Sequence, residues 1–331
     1  MIVQWDQLFK KLTEQKVAVV GDVMLDSYVW GKVERISPEA PVPIVSIDSK
    51  ENRIGGAGNV ALNTVAMGAK TTVFSVIGKD EDGKSLVSLF NDNHIDSRFL
   101  VSSNERITTS KTRIISRNQQ MMRLDSEMTK DITDEEAILL VDSFKKYLLA
   151  EKPSVVVLED YNKGVLTENV ISQIVALCNE NNIITTVDPK RKNFFSYKGV
   201  TLFKPNLKEV KDALNVLLDD VSMGFLKSVH EQLHHTLQHS ISLITLSEKG
   251  VFYQQDQQAQ ILPGHIRNIA DVSGAGDTVI AVASLVFAAT LDVALAASVA
   301  NLAGGLVCEE VGTVAIDKIK LLAECKLMLP Q

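Results

Sequence analysis

The chain has 331 residues, 45% hydrophobic and 23% charged, enough for one large core and a small appendage. A formal net charge of −7 argues against a general nucleic-acid binder and leaves room only for a local basic patch. Three scattered cysteines, Cys178, Cys308 and Cys325, fit neither a disulfide framework nor a metal-ligand spacing and read as reduced thiols.

The opening stretch MIVQWDQLFKKLTEQ carries acids, Gln and Trp, unlike a signal peptide. KVAVVGDVML (16–25) is β-branched, apolar and ends in charge, which predicts a buried parallel strand. GNVALNTVAMGA (58–69) has helical spacing and TTVFSVIG (71–78) is the next strand. DEEAILLVDSFKKYLLA is helical and leads to the strand EKPSVVVLED (151–160). ENVISQIVALCNENN then leads to IITTVDP (183–189), followed by strands around TLFKPN (201–206) and ISLITLSEKG (241–250). This alternation predicts an α/β fold with a mainly parallel sheet.

Residues 39–50 and 106–125 are strand-like with no helix inside either, which predicts a small β appendage over one end of the sheet. Pro41 and Pro43 suit an edge strand. The apolar run 279–308 is interrupted by Asp292, and the uncharged remainder is too short to cross a bilayer comfortably, so it reads as buried helix.

Polar clusters fall where strands of an open α/β sheet end: GDVMLD, EDYNKG, DPK, KPNLKE and TLSEKG. DVSGAGDT (271–278) stands before a long apolar helix. A plain cap needs only one Asp or Ser, so the glycines suggest close approach of something bulky or charged. Amides of Gly274, Ala275 and Gly276 at a helix start would converge on an anion, with Asp277 beside it as a base: the parts phosphoryl transfer requires. Asn206 and Glu209 suit a hydrated Mg²⁺ on phosphates and equally a helix cap; the two are compatible. Between 106 and 123 lie Arg106, Lys111, Arg113, Arg117 and Arg123 with no acid. A phosphorylated small molecule would use such a field, RNA would want aromatic stacking partners the interval lacks, and a solvated face is the plain alternative.

Two motifs mislead. GGAGNVA (55–61) contains GxGxxA with Asp80 beyond, but no good strand runs straight into it, which disfavours a dinucleotide site. HEQLH (230–234) matches a zinc-hydrolase spacing, with His230, His234 and Glu231, yet the helix has an inward stripe of Leu226, Val229, Leu233 and Leu237 and no third ligand is marked.

DVSGAGDT and RIGGAGNVALNTVAMGA resemble the two signatures of the ribokinase-type (PfkB) carbohydrate kinases, and the likeness extends over nearly the whole chain. GDVMLDSYVWGKVERISPEAPVP, TTSKTRIISRNQQMMRLD, LEDYNKG and DPK resemble, more narrowly, the D-glycero-β-D-manno-heptose 7-phosphate kinases of the ADP-heptose pathway. The resemblance implies a ribokinase-like three-layer sandwich: one kinase domain over 1–331, with lid segments at about 28–50 and 103–125. Asp277 would take the proton from the anomeric C1 hydroxyl, and Gly274, Ala275 and Gly276 would form the anion hole. Asn206, Leu207, Lys208 and Glu209 would lie along the ATP phosphates and Mg²⁺, Glu209 through water; Ser247 and Gly250 would lie near the nucleotide and Asn301 beside the adenine. Asp22, Gly55, Gly56 and Asn59 would bind the sugar. Lys111, Arg113, Arg117, Asn118 and Arg123 of the lid, with Asp160 and Lys163, would complete the substrate site.

The same resemblance implies a cytoplasmic enzyme that pairs its lids in a homodimer and supplies heptose 1,7-bisphosphate toward lipopolysaccharide core. Some relatives carry a second, cytidylyltransferase-like domain with an HxGH motif absent from this sequence, so adenylyl transfer is expected on another polypeptide. One departure is Glu159, where a small residue is expected; it should point away from the sugar or pair with Lys163, and sugar preference would shift. A kinase for another sugar is the nearest alternative, and a non-enzymatic sugar-phosphate sensor the rival of another class.

Overall fold

A computed structural model describes residues 4–117, 119–216, 221–265 and 267–329. Helix α1 (Trp5–Leu12) precedes β1 (Lys16–Gly21), β2 (Val23–Ile36) and β3 (Pro43–Gly56). Helix α2 (Ala57–Ala66), β4 (Lys70–Gly78), α3 (Glu81–Asp92) and β5 (Asp96–Ser103) follow, then β6 (Ser110–Ser116) and β7 (Gln119–Ser126). The alternation resumes with α4 (Asp134–Glu151), β8 (Val155–Glu159), α5 (Glu168–Glu180), β9 (Ile184–Asp188) and the short β10 (Leu202–Phe203). Helices α6 (Leu207–Leu214) and α7 (Met223–Leu237) lead to β11 (Ile241–Thr245), β12 (Val251–Gln255) and β13 (Gln258–Leu262). Helices α8 (Ala275–Thr290), α9 (Val293–Val307) and α10 (Lys318–Met328) come last.

Nine described strands form the main sheet, in the order β13-β12-β11-β10-β9-β8-β1-β4-β5. Pairing is parallel from β11 to β5 and antiparallel at β11–β12 and β12–β13. Alternation along each central strand divides the core. Val17 and Val19 of β1 and Val155 and Val157 of β8 join the cluster under α1, α2, α8 and α9, whereas Ala18, Val20, Val156 and Leu158 join the one under α4, α5 and α7. Both faces are therefore covered, as a parallel sheet requires, in a helix–sheet–helix sandwich.

Sequence and local structure agree at the helix starts. Thr133 and Glu136 make a capping box on α4, Thr167 caps α5 and Asp80 caps α3. Asp292, which interrupts the apolar run, is the cap of α9 and accepts from the Leu295 amide at 3.0 Å. Helix α8 is buried almost all round, the pattern of a core helix. Among the described residues no helix is long and apolar enough to cross a membrane.

The run 16–25 is not one strand. It breaks at Asp22, and β2 leaves the main sheet to form a second, four-stranded sheet in the order β3-β2-β6-β7. Its strands reach further toward the main sheet than 28–50 and stop short of 103–109, since β5 belongs to the main sheet. Pro43 opens the edge strand β3, where a missing N–H costs no ladder bond.

Candidate active site

Gly274 is left-handed (φ 79°) and caps α8. A Cβ there would stand 2.7 Å from Asn59 Nδ2, so only glycine allows the loop to close on α2. Asp277 is the third residue of α8 and is 4% exposed. Asn59 Nδ2 donates to its Oδ2 at 2.8 Å and the Tyr161 hydroxyl to its Oδ1 at 2.6 Å. Asn59 is held in turn by Asn63, whose amide donates to the Asn59 carbonyl and Oδ1, while Thr278 Oγ1 donates to Asn63 Oδ1. Burial pushes the Asp277 carboxyl up to about 6 against the two donors, which pull it down. A carboxylate poised there is ionised at neutral pH yet more basic than an ordinary aspartate, which suits a general base. Of the three amides expected to face an anion, that of Ala275 already donates to the Val272 carbonyl, over a long 3.3 Å bond for which a phosphoryl oxygen can compete.

Behind Asp277 lie two more buried acids. One oxygen each from Glu159, Asp188 and Asp277 lie within 4.8 Å of one another. Lys204, 2% exposed, pairs with Asp188 Oδ2 at 2.7 Å, and Lys190 reaches Glu209 Oε1 at 2.7 Å and Asp188 Oδ1 at 3.5 Å. Burial opposes the charge on Asp188, but Lys190 and Lys204 outweigh it and hold its pKa below the usual range. Burial also opposes the charge on Lys190, and Asp188 and Glu209 outweigh it in the other direction. Among the described residues neither Glu159 oxygen has a hydrogen-bond partner; burial, then Asp188 and Asp277, raise its pKa well above the ordinary value. It faces the base rather than pairing with Lys163, the one arrangement the sequence did not suggest.

The second sheet reaches this group of residues, with Lys111 Nζ of β6 5.8 Å from the centroid of the Tyr161 ring. Gly55 and Gly56 end β3; a Cβ on Gly55 would meet Asp26 Oδ2 at 2.5 Å, so the carboxylate beside these glycines is Asp26. Asp26 accepts from Arg113 at 2.6 Å and from Thr313 Oγ1 at 3.2 Å. Asp22 differs from its expected place at the sugar. Its carboxylate accepts the amides of Tyr161 (2.8 Å), Lys163 (3.0 Å) and Val165 (3.0 Å) and latches that loop to β1. Asp160 is likewise consumed internally, by the Asn162 amide and the Tyr197 hydroxyl at 2.7 Å each, and burial pushes it up to about 6. Lys163 pairs with Glu127 at 2.7 Å, joining the end of β7 to the loop after β8. Lys111 lies close to Lys163, and burial first, then that neighbour, lowers its pKa. Arg123 pairs along its own strand with Asp125, Arg117 stands exposed at the turn after β6, and Asn118 lies outside the described residues.

Asn206 and Glu209, expected along the nucleotide phosphates, form a capping box at the start of α6, each side chain taking the other's amide at 2.8 Å, with Leu207 and Lys208 in the turn between. Ser247 and Gly250 bracket the turn between β11 and β12, both with positive φ, and Asn301 on α9 donates to the Pro263 carbonyl at 2.8 Å. The HEQLH residues lie apart. His230 Nδ1 and His239 Nε2 share the Ser242 hydroxyl at 2.9 and 2.7 Å, and the exposed His234 bonds the His239 carbonyl through Nδ1 at 2.6 Å; among the described residues no metal-ligating group of three includes them.

The profile of the pfkB family carbohydrate kinases matches residues 14–319. The chain belongs to that family. As a pfkB-family sugar kinase it is 40% identical over 305 residues to the bifunctional protein HldE of Methylobacillus flagellatus, covering 92% of this chain and 62% of the relative. It is 37% identical over 318 residues to HldE of Geobacter sulfurreducens, covering 96% and 64%. The chain thus spans less than two thirds of the length of these relatives. The kinase fold is also that of phosphofructokinase-2 from Escherichia coli in complex with potassium (TM-score 0.76, 17% identity, 94% of this chain and 99% of that one). Arabidopsis thaliana ribokinase complexed with ribose and ATP shares it too (TM-score 0.71, 16% identity, 93% and 98%). Within this kinase, Tyr161, Asp188, Lys190, Lys204, Asp26 and Glu127 were missed as individual residues. The first four lay in EDYNKG, DPK and KPNLKE, strand-end clusters whose position alone marked them.

Proposed function

We propose that this kinase transfers the γ-phosphoryl group of ATP to the C1 hydroxyl of D-glycero-β-D-manno-heptose 7-phosphate, giving the 1,7-bisphosphate toward ADP-heptose. The observation that carries the phosphoryl-transfer step is Asp277, hydrogen-bonded by Asn59 and Tyr161 and set three residues into the helix that Gly274 opens. The basic lid and the HldE relatives support a phosphorylated heptose as acceptor.

The γ-phosphoryl oxygens would rest on the amides at the α8 start, where the helix end favours negative charge. The sugar hydroxyl would donate to Asp277 and lose its proton there as its oxygen bonds to the γ-phosphorus, while the bond from that phosphorus to the β–γ bridging oxygen breaks and ADP leaves. Lys204 and Lys190 keep Asp188 ionised behind the transferring group. Lys111, Lys163 and Arg113 would meet the 7-phosphate from the lid side. Both Glu209 oxygens are already bonded, to the Asn206 amide and to Lys190, so the residue fits a hydrated Mg²⁺ held through water rather than by direct ligation. Such an ion would supply positive charge that offsets the negative charge of the ATP phosphates.

The lid offers a reason to dimerise. Strand β7 is an edge strand exposed along its whole length, with Met121, Met122 and Leu124 uncovered, and a second copy of the lid would bury them. Light scattering of the protein should give twice the chain mass, and a monomer at micromolar concentration would count against this pairing. The acceptor is tested by coupled ADP release over heptose, hexose and pentose phosphates and their unphosphorylated forms. Heptose 7-phosphate should give the highest kcat/KM, and a preference for a neutral sugar would sink the assignment.

A further inference from the structure

Tyr161 occupies a telling position. Its hydroxyl donates to Asp277 Oδ1 at 2.6 Å, as an acceptor hydroxyl about to lose its proton would, while Asn59 takes the other oxygen. The Tyr161 backbone is fixed, because its amide and those of Lys163 and Val165 all donate to Asp22. Only the side chain is left to move. Two ammonium groups lie over its ring, Lys190 Nζ of the main domain at 5.5 Å and Lys111 Nζ of the lid at 5.8 Å from the centroid. No carboxylate pairs with Lys111 among the described residues, so an arriving phosphate can draw it off the ring. Behind the phenol lie Glu159 and Asp188, which disfavour its ionisation after burial does, and the group stays a hydrogen-bond donor.

A carboxylate beside the γ-phosphoryl group has no means of its own to prefer a sugar hydroxyl over water. If water took the place at Oδ1, its oxygen would bond to the γ-phosphorus as the bond to the β–γ bridging oxygen broke. The water proton would pass to Asp277, and ADP and inorganic phosphate would leave. Excluding that water protects ATP from hydrolysis while the sugar is absent.

We propose that Tyr161 is a positioning residue that fills the acceptor's place at Asp277 until the sugar phosphate arrives, and so suppresses ATP hydrolysis. Sugar phosphate entry draws Lys111 toward the lid side, removes one of the two cations holding the ring, and the acceptor hydroxyl replaces the phenol at Oδ1. This rests on Asp277 being the general base.

The test is ADP formation by the full chain with ATP and Mg²⁺ alone, without sugar, set beside sugar-dependent turnover. Tyr161→Phe keeps the ring and removes only the oxygen; Tyr161→Leu keeps apolar bulk, and melting curves check that both fold. Sugar-free ADP formation should rise by at least about tenfold in both variants, equivalent to about 1.4 kcal/mol off the hydrolysis barrier, and return to background in Tyr161→Phe/Asp277→Asn. A rate within twofold of wild type in both folded variants overturns the proposal, as does a rise that survives in the double variant. Failure of the base assignment is separate: Asp277→Asn alone would then keep its sugar-dependent turnover.

Discussion

Asn59 and Asp277, 218 residues apart in sequence, are joined by a 2.8 Å hydrogen bond that ties the start of α2 to the start of α8. Gly274 makes this possible by leaving room for the Asn59 amide. The bond favours the ionised form of Asp277 against burial. A bond to a charged acceptor is worth about 1.5 kcal/mol, or about one pK unit. In Asn59→Ala the acidic limb of the kcat/KM profile should therefore move to higher pH by up to about one unit. An unmoved limb would show that Asn59 does not tune the base.

The lid arginines separate by what they touch. Arg113 and Asp26 form a largely buried pair at 2.6 Å, and losing one partner of such a pair costs about 3–5 kcal/mol. Its replacement would mix stability with binding. Arg117 is exposed with φ 50°, a conformation asparagine tolerates, so Arg117→Asn is the cleaner probe. It should raise the sugar KM severalfold with ATP KM and melting temperature unchanged. Equal effects on both KM values would place Arg117 away from the sugar phosphate.

Glu159 carries a stability cost that depends on pH. Its folded pKa is raised above 4.5 by burial and by Asp188 and Asp277, so the folded state holds a proton that the unfolded chain gives up. Relative stability is then full below about 4.5 and is lost as pH rises toward the folded pKa, at about 1.4 kcal/mol per unit. The melting temperature of Glu159→Gln minus that of wild type should grow as pH rises above 4.5. A flat difference would mean that Glu159 is ionised in the folded protein.

The histidine cluster acts in the opposite direction. Burial, and then neighbouring imidazoles, lower His230 to about 4 and His239 to about 3. Well above pH 6.5 neither folded nor unfolded imidazole is charged. As pH falls from 6.5 toward 4 the unfolded chain takes up protons that the folded cluster refuses, and stability drops. His239→Gln should shrink that drop in thermal melts; an unchanged slope would assign the acid sensitivity elsewhere.

Much of the fold was legible because burial and period coincide. The β-branched runs around Val17–Val20 and Val155–Leu158 could only be strands covered on both faces. The start of α8 was legible because a plain cap needs only one Asp or Ser, whereas Gly274 and Gly276 stand here beside Asp277. The break at Asp22 was not, since the amides that claim its carboxylate come from the loop 161–165, 139 to 143 residues away. Tyr161 was hidden for the same reason: EDYNKG shows its acids and lysine, while the phenol acquires a role only by meeting Asp277, 116 residues on. HEQLH was set aside on its inward stripe and the lack of a marked third ligand, since spacing on one helix does not reveal that Ser242 claims His230 Nδ1 and the His239 carbonyl claims His234 Nδ1.

The most direct measurement is turnover of purified Asp277→Asn with saturating ATP and heptose 7-phosphate, alongside its nucleotide affinity. With Asp277 as the base, kcat falls by roughly two or more orders of magnitude, while ATP binds almost as tightly as to wild type. Turnover within a few fold of wild type in a folded Asp277→Asn protein would contradict it.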